Sequence, residues 1–183
     1  MSYFKMNLAA SLAFVVLSLA VGLAAADEAV LAPSQATVLP SDASGLTRIV
    51  LQYDLSGLRS GEGRQIDAAL LDWHLTGVSA SHDSEFQAFA ATVSWTAANA
   101  ANSGVGQIAS NAEPVSEWEF TTEDYDRNDG GFVRFNFRSL ATAWADETLP
   151  NYGVVITTDD VNRANALASL PSALLTVRYG FSK

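Results

Sequence analysis

The residues of this chain that could carry chemistry are two histidines, an acidic turn and several large aromatic side chains. His74 and His82 are the only histidines, and neither lies at a recognisable spacing from a serine and an acid or from a metal-sharing histidine. The chain has no cysteine, which excludes thiol catalysis, a lipoprotein anchor and disulfides. No residue set combines a nucleophile, a base and an orienting group, so the sequence predicts a protein that is not an enzyme.

The acidic turn DYDRNDG, residues 124–130, places side-chain oxygens of Asp124, Asp126 and Asn128 at i, i+2 and i+4. This spacing resembles the start of a calcium loop. An EF-hand is excluded, because Asp129 stands where the loop needs glycine and Phe135 where it needs a bidentate acid. The same residue types are typical of a solvated hairpin turn. We predict such a turn and no cofactor, with Ca²⁺ as the alternative.

The aromatic residues suggest a different chemistry, the binding of sugar rings. An exposed aromatic face stacks on the apolar C–H surface of a pyranose, and neighbouring polar groups fix the hydroxyls. Trp118 lies between two glutamates, Tyr125 lies in the acidic turn, and Trp95 ends a strand pattern beside a long loop. These three are the predicted stacking surfaces, and Arg134 and Asn136 are the predicted polar contacts on an outward strand face.

Short strands must position these side chains. Residues 48–55, RIVLQYDL, alternate strictly, which predicts a half-buried strand with Ile49 and Tyr53 on its buried face and Val50 on the other. Similar patterns follow at 65–75, 85–95, 115–122, 131–137, 152–158 and 173–179, with a further edge strand at 36–39. They predict an all-β fold, an antiparallel β-sandwich of jelly-roll type. The Ala- and Asn-rich residues 96–113 predict a surface loop that buries too little to form a core element.

One short helix is predicted near residues 139–146. Ser139 occupies the position of an N-cap, and apolar residues follow at i, i+3 and i+4 from Leu140. We expect this helix to close one end of the sandwich and bury Trp144. Trp73, on the apolar face of its strand, is likewise predicted to lie in the core.

The N-terminus carries an export signal. Lys5, an apolar run from Leu8 to Leu23 and Ala24-Ala25-Ala26 have the order of a signal peptide. We predict cleavage after Ala26, with an uncleaved membrane anchor as the alternative. The predicted organisation is therefore a signal peptide at 1–26, an N-terminal segment with an edge strand at 27–45 and a β-sandwich domain at 46–183. No membrane span is expected after cleavage, and the protein is expected to be secreted, extracellular or periplasmic.

The net charge of the chain limits the classes of partner that it can bind. The full chain has a net charge of −10, and the signal peptide removes one lysine and no acid, which leaves −11. A field of this sign repels phosphate backbones, and no basic stripe offsets it. Nucleic acid is therefore excluded as an expected partner.

Several motifs together resemble a known family. The segments LQYDLSGL, QIDAALLDWHL, ATVSWT, VRFNFRSLATAWADETLPNYGVVI and ALLTVRY are similar, in order, to the motifs of the DNRLRE-domain proteins, and they cover roughly Ile49 to Tyr179. These are secreted β-sandwich domains related to disaggregatase repeats and carbohydrate-binding modules. The resemblance implies a jelly-roll-like sandwich and the binding of polysaccharide.

Three hypotheses of function follow. The first is a secreted, non-catalytic domain that binds extracellular polysaccharide. The second is a structural or adhesive protein of the cell surface or matrix that contacts other proteins. A hydrolase with a pair of carboxylates is the third.

Overall fold

The computed structural model describes residues 27–41, 45–58, 64–74, 83–120, 132–160 and 173–181. The predicted signal peptide lies outside these residues. None of the helices in the described ranges has the length and apolar character that a membrane span requires. The strands are β1 (Asp27–Leu31), β2 (Pro33–Leu39), β3 (Thr47–Tyr53), β4 (Arg64–His74), β5 (Ser84–Ala90), β6 (Ser116–Phe120), β7 (Phe132–Asn136), β8 (Val154–Thr158) and β9 (Leu175–Phe181). The helices are α1 (Ala100–Ser103), α2 (Arg138–Ala145) and a 3₁₀ turn at Ser56–Leu58.

The strands form two antiparallel sheets, which confirms the predicted all-β sandwich. One sheet has the order β1-β9-β4-β7 and the other β2-β3-β8-β5-β6. Four of the antiparallel pairs are nested along the chain: β1 with β9, β3 with β8, β4 with β7, and β5 with β6. Such nesting is the pattern of a jelly roll. The extra strand β2 extends the second sheet at its edge, so residues 27–39 supply two edge strands where the sequence predicted one.

The core lies between the two sheets. Alternation along β3 turns Ile49, Leu51 and Tyr53 inward, and all three are buried as predicted. Trp73 is also fully buried, and its ring meets that of Phe135 edge-on, with 6.2 Å between centroids. The prediction that Trp73 and Trp144 belong to the core is therefore confirmed.

The predicted helix is present, with a different start. Helix α2 begins at Arg138, and the residue before it, Phe137, makes no side-chain cap, so the prediction of Ser139 as N-cap is wrong. The chain is held there by strand β4 instead, because the Phe137 N–H donates to the Ala69 carbonyl at 2.8 Å. Leu140 and Trp144 face the main core, as their spacing predicts.

The five-stranded sheet also has a small core on its outer face. The chain after β5 turns away at Ala90, earlier than the predicted strand end at residue 95, and folds back over the sheet. Three residues of this segment pack against Val50 of β3 and Val155 of β8, namely Trp95, Ala100 and Val105. The prediction that residues 96–113 form no core element is therefore wrong, and Val50 is buried although it points away from the main core.

Candidate functional site

Trp95 is not available as a stacking surface. Its side chain is only 4% exposed, and its indole N–H donates to the Tyr152 carbonyl at 2.7 Å. The ring joins the outer core of the five-stranded sheet. The prediction of Trp95 as a ligand-binding residue is therefore wrong in this structure, since the alternation that placed it on a strand ends five residues earlier.

Arg134 and Asn136 are exposed on β7, as predicted, and both are already engaged. The Arg134 guanidinium forms a forked pair with Asp72 on the neighbouring strand, with Nε–Oδ1 at 2.6 Å and a second bond at 3.0 Å. Hydrogen bonding and charge attraction from Asp72 raise the pKa of Arg134. Asn136 Oδ1 accepts a hydrogen bond from the Arg138 N–H, at the first residue of α2. These side chains stabilise the sheet and the helix start, and only part of their hydrogen-bonding capacity remains for a ligand.

Trp118 lies on β6, the last strand of the five-stranded sheet. It is directly opposite Phe86 of β5 and packs against the main core, since both residues turn inward. An inward residue of a central strand would be covered on both sides, but β6 has no neighbour beyond it in this sheet. Trp118 therefore stays partly exposed at the margin of the sandwich, although its indole nitrogen is buried.

The exposed part of Trp118 lies in an acidic cleft of about 520 Å³. We call this the Trp118 cleft. It is formed where β5 begins, where β6 ends and where the chain leaves β8. Its lining residues are Asp83, Ser84, Glu85, Glu117, Trp118, Glu119 and Asp159.

Like charges face one another across this cleft. Glu85 and Glu119 are directly opposite in the β5–β6 ladder, an arrangement that destabilises a sheet when nothing offsets it. Gln87 bridges part of the charge, because its amide nitrogen donates to Glu85 at 2.8 Å and to Glu117 at 3.3 Å. Within the described ranges these three glutamates form no ion pair with a basic side chain. The cleft therefore offers hydrogen-bond acceptors beside an aromatic surface.

The remaining predicted residues lie outside the described part of the chain. These are Tyr125 and the three candidate calcium ligands Asp124, Asp126 and Asn128, which follow the end of β6 by a few residues. Among the residues that the structure does describe, no group of three or more His, Cys, Asp or Glu side chains could hold a metal ion. The hairpin turn and the calcium alternative both stay predictions.

Of the predicted site residues that the structure describes, Trp118 alone lines the cleft. Glu85 and Asp159 were not predicted, and they come from β5 and from the turn after β8. A weak signal existed, since the pattern at 85–95 puts Glu85 and Gln87 on one face. The register that places Glu85 opposite Glu119 depends on tertiary pairing, which no local pattern specifies.

No protein-family model matches this chain, and no curated protein matches it significantly. The resemblance to the DNRLRE-domain proteins stays a prediction.

Proposed function

We propose that this chain is a secreted, non-catalytic β-sandwich that binds extracellular polysaccharide in the Trp118 cleft. The observation that carries the proposal is a partly exposed tryptophan in a cleft whose lining also includes five acidic residues. A ring of this kind stacks on the C–H face of a pyranose, and carboxylate oxygens accept hydrogen bonds from its hydroxyls. Rigid strands hold these groups in place, which limits the entropy lost on binding.

The charge of the cleft selects among glycans. Its lining contains five acidic residues and no basic residue among those described. A glycan with carboxylates or sulfates is therefore repelled, whereas neutral sugars and amino sugars are accepted. An amino sugar should bind most tightly, because its ammonium group is attracted to these carboxylates, and this attraction weakens as salt screens the charges.

Affinity electrophoresis in gels that contain a neutral glucan, chitosan or alginate tests the proposal. We expect retardation by the first two and none by alginate. Replacing Trp118 by alanine should weaken binding about tenfold, which corresponds to roughly 1.4 kcal/mol. Retardation by none of these polysaccharides, followed by no binding on a broad glycan array, refutes the proposal.

A matched pair of charge variants separates the cleft from the net charge of the protein. Glu119→Gln removes one acid from the cleft, and Glu113→Gln removes one from the exposed loop elsewhere. Only the first should weaken retention on chitosan. Equal effects of the two variants would show that chitosan responds to the overall charge, and the cleft assignment would then be wrong.

Contact with proteins is the second candidate function, and exposed apolar residues at the edge of the four-stranded sheet favour it. Val30 on the edge strand β1 is 54% exposed, and Leu174 lies exposed before the adjacent strand β9. A sheet edge with exposed apolar residues is a surface on which another chain can pair. Light scattering over a hundredfold dilution and pull-down from cell-envelope material test this role, and release of product from generic glycosides tests the hydrolase alternative.

A further inference from the structure

A second polar cleft, which we call the Trp144 cleft, lies at the opposite end of the five-stranded sheet. It has a volume of about 580 Å³ and is formed by the end of β3, the start of β2 and the turn after α2. The chain enters β8 here and leaves it beside the Trp118 cleft, so the two clefts are roughly 20 Å apart along the strand. None of the described residues lining it is Lys or Arg.

Trp144 contributes an unused hydrogen-bond donor to this cleft. The side chain is only 6% exposed, and no acceptor among the described residues bonds its indole N–H. Most buried tryptophan N–H groups find a partner, as that of Trp95 does. The Trp73 nitrogen is also unpaired in the described structure, but Trp73 is fully buried between the sheets, whereas Trp144 lines the cleft. Because Trp144 lines the cleft, its indole N–H is the donor that a ligand there would engage.

A chain of fixed amides forms one wall of the Trp144 cleft. The Gln35 amide nitrogen donates to the Gln52 side-chain oxygen at 3.1 Å, and the Gln52 nitrogen donates to the Asn151 carbonyl at 2.8 Å. Asn151 in turn donates to the Tyr53 carbonyl at 2.8 Å. Each of these amide groups has two N–H donors and uses one in the described structure. The wall therefore presents oriented donors whose rotamers are already fixed.

Acceptors lie on the rim. Asp54 accepts hydrogen bonds from the Ser56 hydroxyl and backbone N–H, which lower its pKa, so it stays a carboxylate at neutral pH.

Glu147 also lines the cleft, and its backbone is in a left-handed conformation, with φ of 56°. Its N–H and that of Thr148 bond the Trp144 and Ala143 carbonyls, which is a Schellman motif with glutamate where glycine is usual.

We propose that the Trp144 cleft is a second binding site and that its ligand is a neutral polyhydroxylated molecule, such as one sugar unit at the end of a glycan. The lining combines indole and amide donors with the carboxylate acceptors of Asp54 and Glu147, and a hydroxyl group satisfies both kinds. A purely anionic ligand would meet Asp54 and Glu147, and a purely cationic one would leave the indole and amide donors unpaired. The binding needs no contribution from the Trp118 cleft, which makes the domain bivalent when both sites are filled.

The indole N–H signals in a ¹⁵N–¹H NMR spectrum test this proposal directly. The chain has four tryptophans, and single Trp→Phe variants assign their signals. The probes are the neutral disaccharides maltose, cellobiose, lactose and N,N′-diacetylchitobiose, each added to 20 mM. We expect at least one of them to shift the Trp144 signal in a saturable way, with the Trp73 signal unchanged. No shift of the Trp144 signal by any of the four sugars overturns the proposal.

Two variants test the roles of the individual groups. Trp144→Phe keeps a ring and removes the donor, and Asp54→Asn removes the carboxylate from the rim. Each variant should lower the affinity for the sugar that shifts the Trp144 signal by about two- to tenfold, while Glu113→Gln leaves that affinity unchanged. Wild-type affinity in both variants contradicts the assignment. If Trp144→Phe fails to fold, the wild-type titration and Asp54→Asn still decide.

The same spectrum distinguishes this proposal from the function proposed above. A shift of the Trp118 signal alone supports binding in the Trp118 cleft and overturns the second site. A shift of the Trp144 signal alone supports the second site and contradicts binding of these sugars in the Trp118 cleft.

Discussion

Replacing Gly153 by alanine should destabilise the fold more than any other glycine-to-alanine change at the described glycines. Gly153 has φ of 89° and lies where the chain enters β8 against β3. A Cβ atom added there would lie 2.1 Å from the Leu51 carbonyl oxygen and 3.0 Å from the Gln52 Cα. An ordinary carbon–oxygen contact is about 3.3 Å, so two backbones would have to separate by roughly 1.2 Å.

Three effects contribute to the loss. A left-handed alanine costs about 1–2 kcal/mol, and overpacking against a rigid backbone costs about 1–3 kcal/mol. The shift also disturbs the bond from the Ala91 N–H to the Gly153 carbonyl, worth about 1 kcal/mol. We therefore expect Gly153→Ala to lower the free energy of unfolding by about 3–6 kcal/mol, a large part of the stability of a typical domain.

Two other glycines separate the clash from the backbone conformation. Gly45 has φ of 79° but open space around its Cβ position, so Gly45→Ala should cost only about 1–2 kcal/mol. Gly57 is open and has no positive φ, so Gly57→Ala should be close to neutral. Urea denaturation measures the free energy of unfolding of all three variants, and the values can be compared directly when the m values are equal. If Gly153→Ala and Gly45→Ala agree within about 1 kcal/mol, the close approach to Leu51 does not constrain this position.

Three further changes test contacts described above. Trp95→Phe keeps the ring and leaves the Tyr152 carbonyl without its donor, so the free energy of unfolding should fall by about 1–2 kcal/mol in urea, and no loss would place the Trp95 ring outside the outer core. Glu147→Gly relieves the left-handed conformation and should raise the free energy of unfolding by about 1 kcal/mol, whereas a decrease would mean that the glutamate side chain stabilises the turn. Burial raises the pKa of Tyr53, whose hydroxyl donates to the Ala173 carbonyl at 2.9 Å. Its stabilising contribution is therefore complete below pH 10 or so and is lost as the pH rises further, so wild type should lose more stability than Tyr53→Phe between pH 9 and 11.5, and parallel losses would contradict the assignment.

The main core could be predicted from the sequence because strand alternation is a local pattern. Successive side chains of a strand point to opposite sides, so a strand with one buried face shows apolar residues at every second position. RIVLQYDL has this pattern, and Ile49 and Tyr53 are buried. The pattern could not predict the burial of Val50. That burial depends on a segment about fifty residues later folding over the sheet, and its small alanines conceal how closely it packs.

The candidate sites were harder to predict because they combine distant residues. Gln35 and Gln52 bond across 17 positions, and Gln52 and Asn151 across 99. Glutamine and asparagine at such positions look like ordinary surface residues until the sheet aligns them. Trp118 was predictable from its glutamate neighbours, but Glu85, from β5, and Asp159, just after β8, also line its cleft and are distant in sequence.

The placement of polar groups indicates where a ligand can bind on this sandwich. On the outer face of the four-stranded sheet, the charges of Arg134 and Arg178 are engaged by Asp72 and Glu28 of neighbouring strands, which leaves little for a ligand to satisfy. On the other sheet, the outer face around Val50 and Val155 is covered by the chain's own loop. Groups with unused capacity lie at the strand ends, where edge positions and turns leave the ladder incomplete. Both clefts lie there, and for that reason variants of the polar side chains that line them should change binding, while variants of the paired charges on the sheet face should change stability.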